Sequence, residues 1–112
     1  MLGRIRKTAD FQRIKERGAY RQGKFCGVNT LRGGDPAQAR AGYITTKRIG
    51  GAVQRNRARR MMREAMRTLA DSLQNGSEIV VIARPAISEP GVKMQSVRDD
   101  LQKLLRNCQI IS

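Results

Sequence analysis

The sequence predicts a small α+β fold, a two-layer α/β sandwich with elements in the order α-β-β-α-β-α. Three observations predict it. Residues 52–73 place apolar and basic side chains on opposite sides of one helical wheel. Residues 79–83 (I-V-V-I-A) form an unbroken apolar run of strand length with β-branched residues. From about residue 92 to 108, Met94, Val97, Leu101, Leu104, Leu105 and Cys108 recur at helical spacing. A chain of 112 residues supports one core, so residues 1–112 are read as a single domain.

The elements follow in order. Thr8 is expected to cap a short helix, with Asp10 in its positive first turn and Gly18 as its stop. Phe11 and Ile14 lie three apart and share a face of it. Residues 24–31 read as a strand, R-G-G-D-P at 32–36 as a turn, and residues 39–46 as a second strand. Gly50-Gly51 breaks the chain before the main helix, which spans about 52–73 and ends near Asn75-Gly76. The run at 79–83 should be a central strand covered on both faces. Pro85 and Pro90 then enforce a loop before the last helix, where Asp99 and Asp100 lie off the apolar stripe and read as a solvated face. No repeat, low-complexity tail or linker divides the chain. Residues 1–7 alone are left open to disorder.

Composition narrows the chemistry. A net charge of +14 and a pI near 11.4 make an attractive field for a polyanion. No apolar run approaches the ~20 residues a bilayer needs, and charged residues 1–7 lead into no apolar secretory core, so a cytoplasmic protein is expected. Cys26 and Cys108 are too far apart in sequence for paired zinc ligation and are expected to be structural. The chain has no His, and Asp10, Glu64, Asp71 and Asp99 are scattered. That leaves no equipment for acid–base or two-metal nuclease chemistry, so no protein catalytic residue and no protein metal site is expected.

The charge is concentrated. Residues 46–67 hold eight Lys or Arg and one acid, half of the net charge in about a fifth of the length. On the wheel, Ala58, Met61, Met62, Ala65, Met66, Leu69 and Leu73 share a broad apolar side. Asn56, Arg59, Arg60, Arg63 and Arg67 fall on the opposite stripe, with Arg55 and Arg57 flanking it. Like charges at i, i+3 and i+4 repel by a few tenths of a kcal/mol per pair. A bound anion explains such crowding better than stability does. Arg outnumbers Lys six to none within residues 55–67, and the planar guanidinium forks onto phosphate oxygens and stacks on bases. A second basic cluster runs from Arg4 to Lys24. Phe11 within it reads either as core or as a base-stacking platform, and Tyr20 and Tyr43 share that ambiguity.

The string Lys47-Arg48-Ile49-Gly50-x-Ala52-Val53-x-Arg55-Asn56-Arg57-x-Arg59-Arg60-x-x-Arg63 resembles the signature of the bacterial ribonuclease P protein subunit. Asp10-Phe11-Gln12-Arg13 followed by Gly18, the lone apolar strand and the amphipathic last helix are similar in order and spacing, so the resemblance spans nearly the whole chain. It implies a sandwich with a left-handed βαβ crossover, against the usual rule. It implies binding to a catalytic RNA that removes the 5′ leader of precursor tRNA by Mg²⁺-dependent hydrolysis, the Mg²⁺ being held mainly by RNA and substrate. No obligate protein partner is implied. By resemblance Lys47, Arg48, Arg55, Asn56, Arg57, Arg59, Arg60, Arg63 and Arg67 would bind RNA. Phe11, Lys15, Phe25 and Thr45 would line a cleft for the single-stranded leader. Lys15 and Val28 stand where cleft aromatics are common in the family, so stacking is expected to be weaker, with Lys15 offering a phosphate contact instead. The competing reading is a structural RNA-binding protein of ribosomal type. A DNA-binding helix-turn-helix and a membrane-active helix fit the pattern less well.

Overall fold

The computed structural model describes residues 2–111. Its elements are strand β1 (Gly3–Arg4), helix α1 (Thr8–Arg17), strands β2 (Ala19–Gln22), β3 (Cys26–Leu31) and β4 (Arg40–Ile44), helix α2 (Ala52–Leu69), strand β5 (Glu78–Ala83) and helix α3 (Met94–Asn107). The strands form one sheet in the order β1-β4-β5-β3-β2. The apolar run thus becomes the middle strand, parallel to β4 and antiparallel to β3. Helix α2 makes the connection between the parallel pair β4 and β5. No described helix is long and apolar enough to cross a membrane.

Register sorts the sheet into two faces. Ala41 and Tyr43, Ile79, Val81 and Ala83, and Cys26 and Val28 face α2 and α3 and form the main core with Met62, Met66, Leu101 and Leu105. Burying each large side chain of this layer contributes roughly 1.5–3 kcal/mol. Leu101→Ala would open a cavity at a fully buried position and cost about 2–5 kcal/mol. The opposite face carries Gly42 and Ile44, Val80 and Ile82, and Gly27 and Asn29, and of the described helices α1 is the one that lies on it. Ile5, Ile14 and Val80 form a small second core there, with Phe11, Leu31, Ile44 and Ile82 half-buried at its margin. A ten-residue helix cannot cover five strands. The remainder of that face stays open.

Several elements depart from expectation. Residues 3–5 join the sheet: β1 pairs with β4, and Ile5 is buried. Two residues of strand leave no periodicity to read. Strand β2 has no apolar alternation because it is an exposed edge. Thr8 is the first residue of α1 rather than its cap, and the N-cap Lys7 makes no side-chain bond. Gly18 stays extended at φ −85°, and its role is steric: a Cβ would meet the carbonyl oxygens of Ile14 and Thr30 at 2.5 Å. Strand β4 ends at Ile44, and Thr46 instead caps a 3-10 turn at Lys47–Ile49 by accepting from the Arg48 N–H. Helix α2 stops at Leu69 and passes into a 3-10 turn, Ala70–Ser72.

Asp100 is the clearest correction, because it is not a solvated charge. Its carboxylate accepts from the backbone N–H groups of Lys24, Phe25 and Cys26 at 3.1, 2.9 and 3.1 Å. It thereby satisfies the turn into β3 and ties α3 to the sheet. Gly23 leaves the space that this carboxylate fills. Asp99 does face solvent and, among the described residues, pairs with Arg98 alone.

Candidate nucleic-acid interface

Helix α2 buries Ala58, Met61, Met62, Ala65, Met66 and Leu69 and turns its basic stripe outward. Gly50, at φ +132°, makes the sharp entry that a residue with a Cβ would strain. The stripe is anchored at its flanks and free at its centre. Arg55 donates to the Gly50 carbonyl at 3.1 Å, Arg57 to the Val92 carbonyl at 2.7 Å, and Arg59 to the Thr45 hydroxyl at 2.8 Å. Arg67 pairs with Glu64 at 2.8 Å. Asn56, Arg60 and Arg63 are exposed, and among the described residues their side chains make no hydrogen bond or ion pair. They share a surface groove with Val53, Arg57 and Arg59. Free guanidiniums held above an anchored helix are poised for phosphate.

That groove runs into a second one. Arg59 and Arg63 also line a depression with Arg4, Arg6, Phe11, Gly42 and Tyr43. Burial pushes the Tyr43 phenol up to about 12 against the opposing pull of Arg63 and Arg4, so it stays neutral there. Beyond Phe11 lies a cleft between α1 and the open sheet face. Thr8, Phe11, Gln12 and Lys15, successive positions on one flank of α1, form its wall. Asn29, Ile44, Val80 and Ile82 form its floor. The Phe11 ring rests directly on β4, where a Cβ at Gly42 would meet ring carbons at 2.6 and 2.7 Å. An aromatic wall over an apolar floor, with cations at the mouth, suits an unstacked base and its phosphate.

The other flank of α1 is fixed by charge. Arg13 forks onto the Glu78 carboxylate at 2.8 and 3.0 Å, and Arg40 donates to the same group. Asp10 adds to the cluster at 3.3 Å from Arg13. The Arg13 hydrogen bond, reinforced by Arg40, holds the Glu78 carboxyl below its ordinary range despite the desolvation that opposes it. These bonds clamp the helix that carries Phe11 onto β4 and β5. Burial pushes the Cys26 thiol up, with Asp100 adding to it, so it behaves as a small hydrophobe. Among the described residues no three His, Cys, Asp or Glu side chains are grouped so that they could hold a metal ion.

The structure therefore gathers most of the residues singled out from sequence. Asn56, Arg57, Arg59, Arg60 and Arg63 share the α2 groove, Phe11 and Lys15 share the cleft wall, and Arg48 lines a separate groove with Tyr20 and Arg84. Thr45 does not line the cleft; its hydroxyl accepts a hydrogen bond from the Arg59 guanidinium at 2.8 Å. Phe25 does not join the cleft: it packs toward the α2–α3 core, with the Lys24 ammonium 5.3 Å from its ring centroid. Val28 is likewise fully buried on the helix-covered face, and the cleft position of β3 is its neighbour Asn29. In a strand, alternation decides which side a residue takes, and one step of register exchanged the two. The floor residues Val80 and Ile82 read from sequence as covered, because nothing there tells which sheet face lacks a second helix.

A basic helix opening onto a half-covered sheet face defines a nucleic-acid-binding α+β protein. A family model described as Ribonuclease P matches residues 2–109. The ribonuclease P protein component of Dehalococcoides mccartyi is 35% identical over 97% of this chain and 87% of its own length. That of Caldanaerobacter subterraneus is 31% identical over 94% and 88%. Among solved structures, the RNase P protein of Thermotoga maritima superposes with a TM-score of 0.82 at 31% identity, covering 93% of this chain and 96% of that one. The Staphylococcus aureus RNase P protein gives 0.80 at 27% identity, covering 97% of each. The chain belongs to the bacterial ribonuclease P protein family, whose work is tRNA processing, and an RNA partner follows from that membership.

Proposed function

We propose that this chain serves as the accessory subunit of a holoenzyme in which RNA carries the chemistry. The α2 stripe, with Lys47, holds the catalytic RNA. The cleft beside Phe11 holds the 5′ leader of precursor tRNA, and Lys15 supplies a cation along its wall. The observation that carries this reading is continuity: Arg59 and Arg63 line both the stripe groove and the depression that leads to Phe11. One guanidinium pair can therefore register a structured RNA against a single strand. The protein's part is positioning, which works by fixing reacting groups in place before the chemical step. In this reading Mg²⁺ is held by RNA and substrate phosphates, and the work is done in the cytoplasm. A ribosomal-type scaffold would need the stripe but not the open cleft.

The test is reconstitution. The purified chain alone should leave precursor tRNA intact. Together with its cognate catalytic RNA it should restore leader removal at Mg²⁺ concentrations where that RNA alone is slow. Failure to stimulate the cognate RNA would return the chain to the scaffold reading.

A further inference from the structure

Strand β2 places Tyr20 and Gln22 on the same sheet face as the cleft, through the pairs Tyr20–Asn29 and Gln22–Gly27. The Tyr20 ring leans across β3: a Cβ at Gly27 would come within 2.9 and 3.0 Å of its ring carbons. Gly27 thus gives Tyr20 a seat on bare backbone, as Gly42 does for Phe11. Tyr20 is still 46% exposed. Around it stand Gln22, Thr46, Arg48 and Arg84, over Ile82, which also floors the Phe11 cleft. Arg84 is anchored to the Gly23 carbonyl, whereas the Arg48 side chain has no partner among the described residues. Gly42 and Gly27 lie two strands and two residues apart in register, roughly 12 Å by ordinary sheet spacing.

We propose that Tyr20, with Arg48 and Arg84, forms a second nucleotide subsite at the end of the cleft opposite Phe11. It stacks one base of single-stranded RNA on the open side of the ring and takes the adjoining phosphate on Arg48. The subsite rests on the leader-binding reading above and extends it: the leader is gripped at two points rather than one. Stacking on an aromatic is tolerant of base identity, so the subsite reads leader length rather than sequence. It also supplies from an edge strand the stacking surface that Lys15 does not provide in the wall.

The experiment uses holoenzyme reconstituted from the chain and its cognate catalytic RNA, with precursor tRNAs whose leaders grow one nucleotide at a time from none. Affinity should rise in two steps. Phe11→Ala should remove the earlier step, and Tyr20→Ala only the later one, by about fivefold or more. Tyr20→Phe should keep both. A later step that survives Tyr20→Ala would overturn the subsite, and a loss in Phe11→Ala would show that leader binding itself stands. An equal loss with leaderless tRNA would also overturn it, and no leader dependence in the unaltered holoenzyme would overturn both readings. As a second readout, 2-aminopurine at the leader nucleotide of the later step should be quenched in the unaltered and Tyr20→Phe holoenzymes. Unquenched fluorescence there would refute stacking.

Discussion

Glu78 is 1% exposed and carries two guanidiniums, so its protonation state is tied to folding. Its carboxyl titrates below the ordinary range in the folded chain, and the stability it contributes is complete above the unfolded value. That stability is lost as pH falls through the lower, folded value. Chemical denaturation should therefore show stability falling below the ordinary carboxylate range, and Glu78→Gln should flatten that fall. At neutral pH the same substitution should cost about 1.5–3 kcal/mol, since hydrogen bonds to charged groups are lost. Gly42 is the second residue with an outsized role, because only a bare backbone lets Phe11 lie on β4. Gly42→Ala should lower affinity for leader-bearing precursor while leaving leaderless tRNA binding near its original value. Equal affinity for leader-bearing precursor in the two proteins would remove Phe11 from the cleft's function.

At the level of elements, α2 was readable down to single positions: its wheel separates Met62 and Met66 from Arg60 and Arg63, and the structure separates them the same way. A long amphipathic helix repeats its signal over five turns. Strand β2 repeats nothing over four exposed residues, and β1 is shorter still. Asp100 illustrates another gap. Its place off the apolar stripe was visible, but its three backbone donors come from 74–76 residues away. Helical periodicity carries no information about such a partner. Asp100→Ala should leave three N–H groups without a charged acceptor and destabilise by about 2–3 kcal/mol, measurable by urea unfolding. An unchanged unfolding midpoint would show that water replaces the carboxylate at no cost. The cleft was half visible: its wall lies on a helix, where spacing assigns faces, and its floor lies on strands whose cover depends on where α1 docks.

For the molecule as a whole, a charge of +14 on one small domain favours any polyanion, so affinity alone says little about the site. What the fold adds is a division of labour among the arginines. Arg55, Arg57 and Arg59 each give a donor to a neutral oxygen of the fold while still lining or flanking the groove, and Arg60 and Arg63 keep all their donors for the partner. Counterion release makes that division measurable, because each neutralised phosphate contributes ~0.7–0.9 to the slope of log affinity against log salt. The most direct measurement is that slope for cognate catalytic RNA, taken with the unaltered chain and with Arg60→Ala combined with Arg63→Ala. The slope should be steep and should fall by about 1.4–1.8 in the double variant, with the melting temperature nearly unchanged. An unaltered slope, or a melting temperature that drops with it, would mean that these guanidiniums serve the fold and not the RNA.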